Sequence, residues 1–386
     1  MTGADRPARA DGRGSQPVQA ERFAAQLLCG EPARGAVDVV QRLLAVQGQD
    51  PRGARLAIRA RSAGLTAADV DRALTGERSL LITWLNRGTL HLVRSDDYWW
   101  LHPLTTPQLS AASARRLAQE GVPPADADRA VAAIEAALDG GPMTRAGLRD
   151  RIDSAGLRTE GQALVHELLL ASLRGLIVRG PMIGAEHAFV LVRDWLGVPP
   201  APLDRDAALA ELARRYLAGH GPAADRDLAK WAGLPLRDAR RGLAAVGAGL
   251  IQRDDGLVSL AGATGPAGLT GSAGAAGSAG VAGSAGVAGS AGRRGGSGIP
   301  PPRLLGAFDP LLHGWVSREP VLGGQPGIVT SNGVFRPFAL VGGRAVATWR
   351  IARGKITLAP FAPIAAADEA ALLADADGVL GFLGLS

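Results

Sequence analysis

Leu250-Ile251-Gln252-Arg253-Asp254-Asp255-Gly256-Leu257-Val258-Ser259-Leu260 reads as a β-hairpin. Apolar residues alternate on either side of Asp254-Asp255-Gly256, and an Asp-Gly pair supplies the conformations that tight hairpin turns need. Upstream of it, residues 208–219, 225–232 and 236–246 carry apolar residues at helical spacing, separated by short Gly- and Pro-containing turns. Helix, turn, helix, hairpin is the plan of a winged helix, a variant of helix-turn-helix.

The plan recurs twice further upstream. Residues 144–155 and 159–174 predict helices capped by Thr144 and Thr159, followed by strands at 176–179 and 188–192. Residues 37–46, 52–61 and 67–74 predict helices, with strands at 80–84 and 89–94. Towards the C-terminus the character changes. Residues 333–341, 344–351 and 355–360 alternate as strands around Gly342-Gly343 and Arg353-Gly354, and 368–382 predict a helix. The expected class is α+β: three tandem winged-helix units followed by a small C-terminal β-barrel. The expected divisions are a disordered tail at 1–20, units at 21–130, 131–200 and 201–261, a linker at 262–298, and the barrel with its terminal helix at 299–386. In the linker, glycine falls at every third position from Gly262 to Gly295, the collagen period, yet only Pro266 supplies a proline. That composition predicts a flexible spacer without chemistry.

With 386 residues and 47% apolar content, the chain is long enough for several compact units and has a sizeable core to bury. No uninterrupted apolar run reaches membrane-spanning length, and the N-terminal 20 residues lack the apolar stretch of a secretory signal. Cys29 is the only cysteine, which excludes internal disulfides and a cysteine-built zinc site. A cytoplasmic home is the simplest expectation. Of 42 cationic residues only Lys230 and Lys355 are lysines. Residues 22–130 hold 14 Arg against 11 acids, a modest excess compatible with a polyanionic partner.

Chemistry-bearing patterns are few. The six histidines show no metal-ligand spacing, and nucleophile elbow, P-loop and dinucleotide fingerprint are all missing, so no metal or cofactor is expected. Gln47-Gly48-Gln49-Asp50-Pro51 follows an apolar helical stretch. Two carboxamides two residues apart share a side if the backbone is extended, and a pair can orient one water; solvated or capping glutamines are the plainer alternative. Asp50 and Pro51 suit the start of the next helix. There Arg52, Arg55 and Arg59 fall on one face, as phosphate contacts or as an ordinary solvated surface. His91 has the setting of a structural residue. Tyr98-Trp99-Trp100-Leu101 reads as core more readily than as a base-stacking surface.

Four motifs in order are Val46-Gln47-Gly48-Gln49-Asp50-Pro51-Arg52, Arg87-Gly88-Thr89-Leu90-His91-Leu92, Gly306-Ala307-Phe308-Asp309-Pro310 and Gly333-Val334-Phe335-Arg336-Pro337. Together they resemble the winged-helix proteins of the AlkZ and YcaQ type, bacterial DNA glycosylases. The resemblance covers about residues 21–261 and 299–365. It implies three tandem winged helices, a β-barrel, and hydrolysis of the N-glycosidic bond of alkylated purines, including N7 adducts and interstrand crosslinks. A Gln-x-Gln motif is catalytic in that family, and Gln47 and Gln49 occupy its positions. The middle residue, usually apolar, is here Gly48. Arg336 of the fourth motif joins Arg52, Arg55 and Arg59 as an expected DNA contact. The implied partner is damaged double-stranded DNA, bound by a cytoplasmic, nucleoid-associated monomer with no membrane contact. A non-catalytic winged-helix DNA-binding protein is the second reading of the same residues.

Overall fold

The computed structural model describes residues 15–262 and 298–385. The expected linker falls outside that range except at its two ends, as does the expected tail up to residue 14; residues 15–20, expected as tail, instead open the helix Ser15–Ala25. The elements are mixed α and β, and two sheets organise them.

The first sheet has five strands in the order Val46–Gln47, Thr89–Arg94, Leu80–Leu85, Ile177–Ile183, Glu186–Leu191, each antiparallel to its neighbour. The hairpins of the first two expected units therefore share one sheet, joined where Ile82 faces Arg179. Period-2 alternation divides its residues between two cores. Val46, Leu80, Ile82, Trp84, Leu90 and Leu92 enter one apolar cluster, while Leu81, Leu85 and Val93 enter the other. Thr83, His91 and Gln47 stand opposite one another across three strands of that second face.

The helix Pro51–Arg59 begins where expected. Asp50 caps it, its carboxylate accepting from Gly53 N at 2.6 Å, and Pro51 opens its first turn. In the second unit Thr144 caps Arg145–Ser154 by accepting from Gly147 N. Thr159 does not cap: the following helix is Ala163–Leu173, and the buried Thr159 hydroxyl donates to Asp153. Pro103 and a run of alanines masked three further helices, Ser95–Thr105, Ser110–Gln119 and Pro124–Leu138. Tyr98 and Leu101 of the first are core residues. The third unit follows its sequence closely, with helices Arg205–His220, Asp225–Ala232 and Leu236–Val246 and the hairpin Leu250–Gln252/Val258–Leu260.

The C-terminal sheet is antiparallel, in the order Lys355–Pro360, Arg344–Ala352, Phe338–Val341, Arg303–Leu305. Its outer strands do not pair with each other, so among the described residues it is an open sheet and not a closed barrel. The segment 333–337 forms a loop and turn before the strand Phe338–Val341. The closing helix Ala366–Leu383 packs on Arg303–Leu305 and on Pro51–Arg59. No helix among the described residues is long and apolar enough to cross a membrane.

Candidate active site

The helix Ala36–Leu43 ends where Leu44 takes a positive φ of 65° and turns the chain into the strand Val46–Gln47. That strand lies at the edge of the five-stranded sheet. Val46 faces Leu92 and Gln47 faces His91. Gly48 N donates to Leu90 O at 2.7 Å. The returning rung is made by a side chain, as Leu90 N donates to Gln49 Oε1 at 3.3 Å. Gly48 is buried and keeps φ out of the left-handed region. A Cβ there would stand 3.3 Å from Ile82 Cγ2, so limited space rather than backbone freedom distinguishes glycine at this point.

The glutamines reach the same strand at different depths. Gln47 is 7% exposed, and its Oε1 is enclosed without a hydrogen-bond partner. Gln49 is exposed. Beside Gln47, His91 Nδ1 lies 2.8 Å from Thr89 O. A carbonyl only accepts, so Nδ1 carries the proton and Nε2 is left as an acceptor. Burial, with Arg87 nearby, lowers the His91 pKa to about 3, so the ring is neutral at physiological pH.

The third motif packs on the helix that follows this edge, and the fourth packs on the third. A Cβ on Gly53 would lie 2.2 Å from Ala307 O, and one on Gly306 would lie 3.0 Å from Gly53 Cα. Backbone thus packs on backbone at the first turn of the helix that follows Gln49. Asp309 locks the loop: its carboxylate takes a bidentate bond from the fully buried Arg61, at 2.7 and 2.9 Å, and also accepts from Leu311 N. Phe308, between these anchors, has a φ of 57°. Its ring lies 6.2 Å from His313 and nearly parallel to it, and His313 lies 4.3 Å from Phe335. Burial holds the His313 pKa well below the usual value, reinforced by Arg87, Arg318 and His91. On a third side, Arg87 donates to Lys230 O and Trp231 O, and Gly233 abuts Asn86 O. The four sequence motifs are therefore linked in series: the second to the first by the Gln47–His91 pair, the third to the first at Gly53, and the fourth to the third through Phe308 and Phe335.

The arginine face does not survive folding as a face. Arg52 is exposed and forms no ion pair among the described residues. Arg55 is buried, bonded to Asp71 and to Pro51 O and within 3.4 Å of His187 Nε2. Arg59 holds Asp375 of the terminal helix at 2.7 and 3.0 Å. Both guanidiniums are already neutralised by carboxylates of their own chain. Arg336 is exposed on its loop. Sequence reasoning missed His313, Thr89 and the carboxylates at 71 and 375. The first two sit in or beside quoted motifs, whereas nothing local marks the carboxylates.

Two cavities, of about 240 and 160 Å³, lie elsewhere, one beside Arg59, Arg303 and Asp375 and the other beside Arg78 and Trp195. Neither is lined by Gln47 or Gln49. Among the described residues no cluster of His, Cys, Asp or Glu could hold a metal ion.

The family model described as DNA glycosylase AlkZ-like matches residues 40–382. An interstrand DNA cross-link repair glycosylase from Streptomyces sahachiroi is 30% identical over 233 residues, 56% of this chain. The aligned part spans 60% of that relative's length. The solved structure of Streptomyces sahachiroi DNA glycosylase AlkZ superposes with a TM-score of 0.69 at 25% identity, covering 94% of each chain.

Proposed function

The chain belongs to the AlkZ-like DNA glycosylase family, and on that premise we propose that it hydrolyses the N-glycosidic bond of alkylated purines in DNA. N7 adducts and interstrand crosslinks are the substrate class, the latter matching the name of the relative in Streptomyces sahachiroi. The observation that supports the reading is the linkage of all four motifs in the fold, with the carboxamide oxygen Gln47 Oε1 of the first enclosed and unpartnered. A buried polar atom without a partner is uncommon and calls for a guest.

The chemistry suits neutral groups. N7 alkylation makes the base a cation and hence a good leaving group. The remaining tasks are to place a water at the anomeric carbon and to tolerate an oxocarbenium-like transition state. Gln47 and Gln49 position that water without acting as strong bases. Arg52 and Arg336, both exposed, contact backbone phosphates. The three helix–helix–hairpin stretches serve as tandem winged helices, and the open C-terminal sheet covers the cleft from its other side. An open cleft fits bulky lesions better than a tight pocket reached by full base flipping. The protein works as a monomer beside the nucleoid, where its substrate is.

The near-complete enclosure of Gln47 favours one competing reading, a DNA-binding module without catalysis. Incubation with duplex DNA carrying N7-methylguanine or a crosslink, followed by heat or alkali, separates the two. Strand breaks at the lesion support the glycosylase, and intact strands with retained DNA binding support the module.

A further inference from the structure

The residues of the quoted motifs and their loops hold more unpaired polar atoms than the glutamine pair accounts for. Gln47 Oε1, Thr89 Oγ1, His313 Nε2 and both polar atoms of the Asn86 side chain are shut away from solvent without a hydrogen-bond partner. Well over nine in ten buried polar groups in folded proteins are paired, so enclosed unpaired atoms on neighbouring motif residues are candidates for holding a hydrogen-bonding group.

Sheet geometry relates these atoms. Gln47 faces His91 across the ladder, and Thr89 lies two residues from His91 on the same strand. Gln47, Thr89 and His91 therefore leave the sheet on one face, with Thr89 a diagonal neighbour of Gln47 at roughly 7 Å. His313 approaches from the C-terminal loop. Its ring packs against Phe335 and near Phe308, which also touch each other, so the three rings form one cluster, and Arg87 is near enough for its charge to bear on the imidazole. An acceptor, a hydroxyl and an imidazole nitrogen give the two to four partners that a fixed water needs.

We infer that Thr89 Oγ1 and His313 Nε2 complete, with Gln47 Oε1, a cage for the hydrolytic water. The inference rests on the glycosylase reading and assigns two positioning residues outside the Gln-x-Gln motif. As the C1′–N bond breaks, its electron pair leaves with the cationic base, which departs neutral. The water oxygen bonds to C1′ and becomes strongly acidic. Its proton then passes through the cage to solvent. A weakly basic imidazole, flanked by Arg87, Arg318 and His91, suffices as acceptor because the oxygen it relieves is cationic.

Isosteric replacements separate hydrogen bonding from packing. His313→Phe keeps an aromatic ring packed with Phe308 and Phe335, and Thr89→Val keeps the shape of the strand. Each is expected to lower single-turnover release of N7-methylguanine by about 10- to 100-fold with unchanged affinity for undamaged duplex. His313→Gln returns a polar group near the Nε2 position and recovers part of the rate. Full activity in His313→Phe and Thr89→Val, with loss in His313→Gln, overturns the cage and leaves a packing role. A wild type that releases no base sinks the glycosylase reading instead. A second measurement does not depend on turnover. The His313 imidazole ¹⁵N resonances of the full chain are expected to shift on adding a duplex with a tetrahydrofuran abasic analogue. Resonances that stay fixed at saturating duplex overturn the assignment.

Discussion

Two polar regions meet at the helix Pro51–Arg59, and they follow opposite rules. Along the helix and just beyond it, charges that leave solvent are paired: Arg55 with Asp71, Arg59 with Asp375, Arg61 with Asp309. On the edge strand just before it and the hairpin that strand pairs with, Gln47, Asn86 and Thr89 carry enclosed polar atoms without a hydrogen-bond partner. Desolvated charges left unpaired would unfold the chain, so the first region is complete by necessity. Enclosed neutral groups cost less, and a site can keep them open at the expense of some stability. The first region supports the fold, and the second is the one the proposed activity would use.

Mutation should expose that division. The largest effect is expected at Arg61. Arg61→Ala strands the fully buried Asp309 and should lower unfolding free energy by about 3–5 kcal/mol in denaturant melts. Arg61→Met with Asp309→Leu should cost clearly less than either single change, and an additive loss would show that the pair does not act as a unit. Next comes the reverse pattern at the edge strand. Gln47→Ala or Gln49→Ala should slow base release by about two to three orders of magnitude, while melting temperature and DNA affinity hold. A large drop in melting temperature at Gln47 would place it with the structural region.

Glu167 offers a milder version of the contrast in the helix Ala163–Leu173. It is fully buried, and neither carboxylate oxygen has a partner. Burial, helped by Asp153, raises its pKa from 4.5 to about 7. The folded state then holds the proton more tightly than the unfolded state, so stability falls as pH rises from about 4.5 to about 7 and levels off above. Glu167→Gln should flatten that slope and add on the order of 2 kcal/mol at pH 8, as read from melts across pH. The smallest effect concerns the arginines. Arg52→Ala should reduce the salt slope of DNA binding by about one unit, whereas Arg59→Ala should lower stability and leave the slope unchanged. Equal slopes for the two variants would restore the three-arginine face.

What the sequence discloses follows the range of the interaction. Helices 225–232 and 236–246, the hairpin at 250–260 and the Asp50 cap are legible because their causes lie within a few residues. The shared sheet is not, since nothing near Ile82 announces Arg179 as its neighbour. The same holds for Arg59, whose carboxylate is 316 positions away, so a stripe that looks solvated on a helical wheel is neutralised in the fold. Expecting a barrel from alternating strands counts segments without knowing whether the outermost ones meet. Within the candidate site, the glutamines and His91 stand out by motif, while the placement of the loop carrying His313 depends on the contact of Gly53 with Gly306.

The Arg61–Asp309 pair also has a calendar. The two residues are 248 positions apart, and at ribosomal speeds of about 5–20 residues per second the second follows the first by roughly 12–50 s. During that interval the arginine has no carboxylate to meet, and the surface that will receive Gly306 and Ala307 lies bare. The amino-terminal part of the nascent chain must therefore idle in an unfinished form. The cleft between the motifs is among the last parts of the molecule to come into being, after all three helix–hairpin stretches have been synthesised.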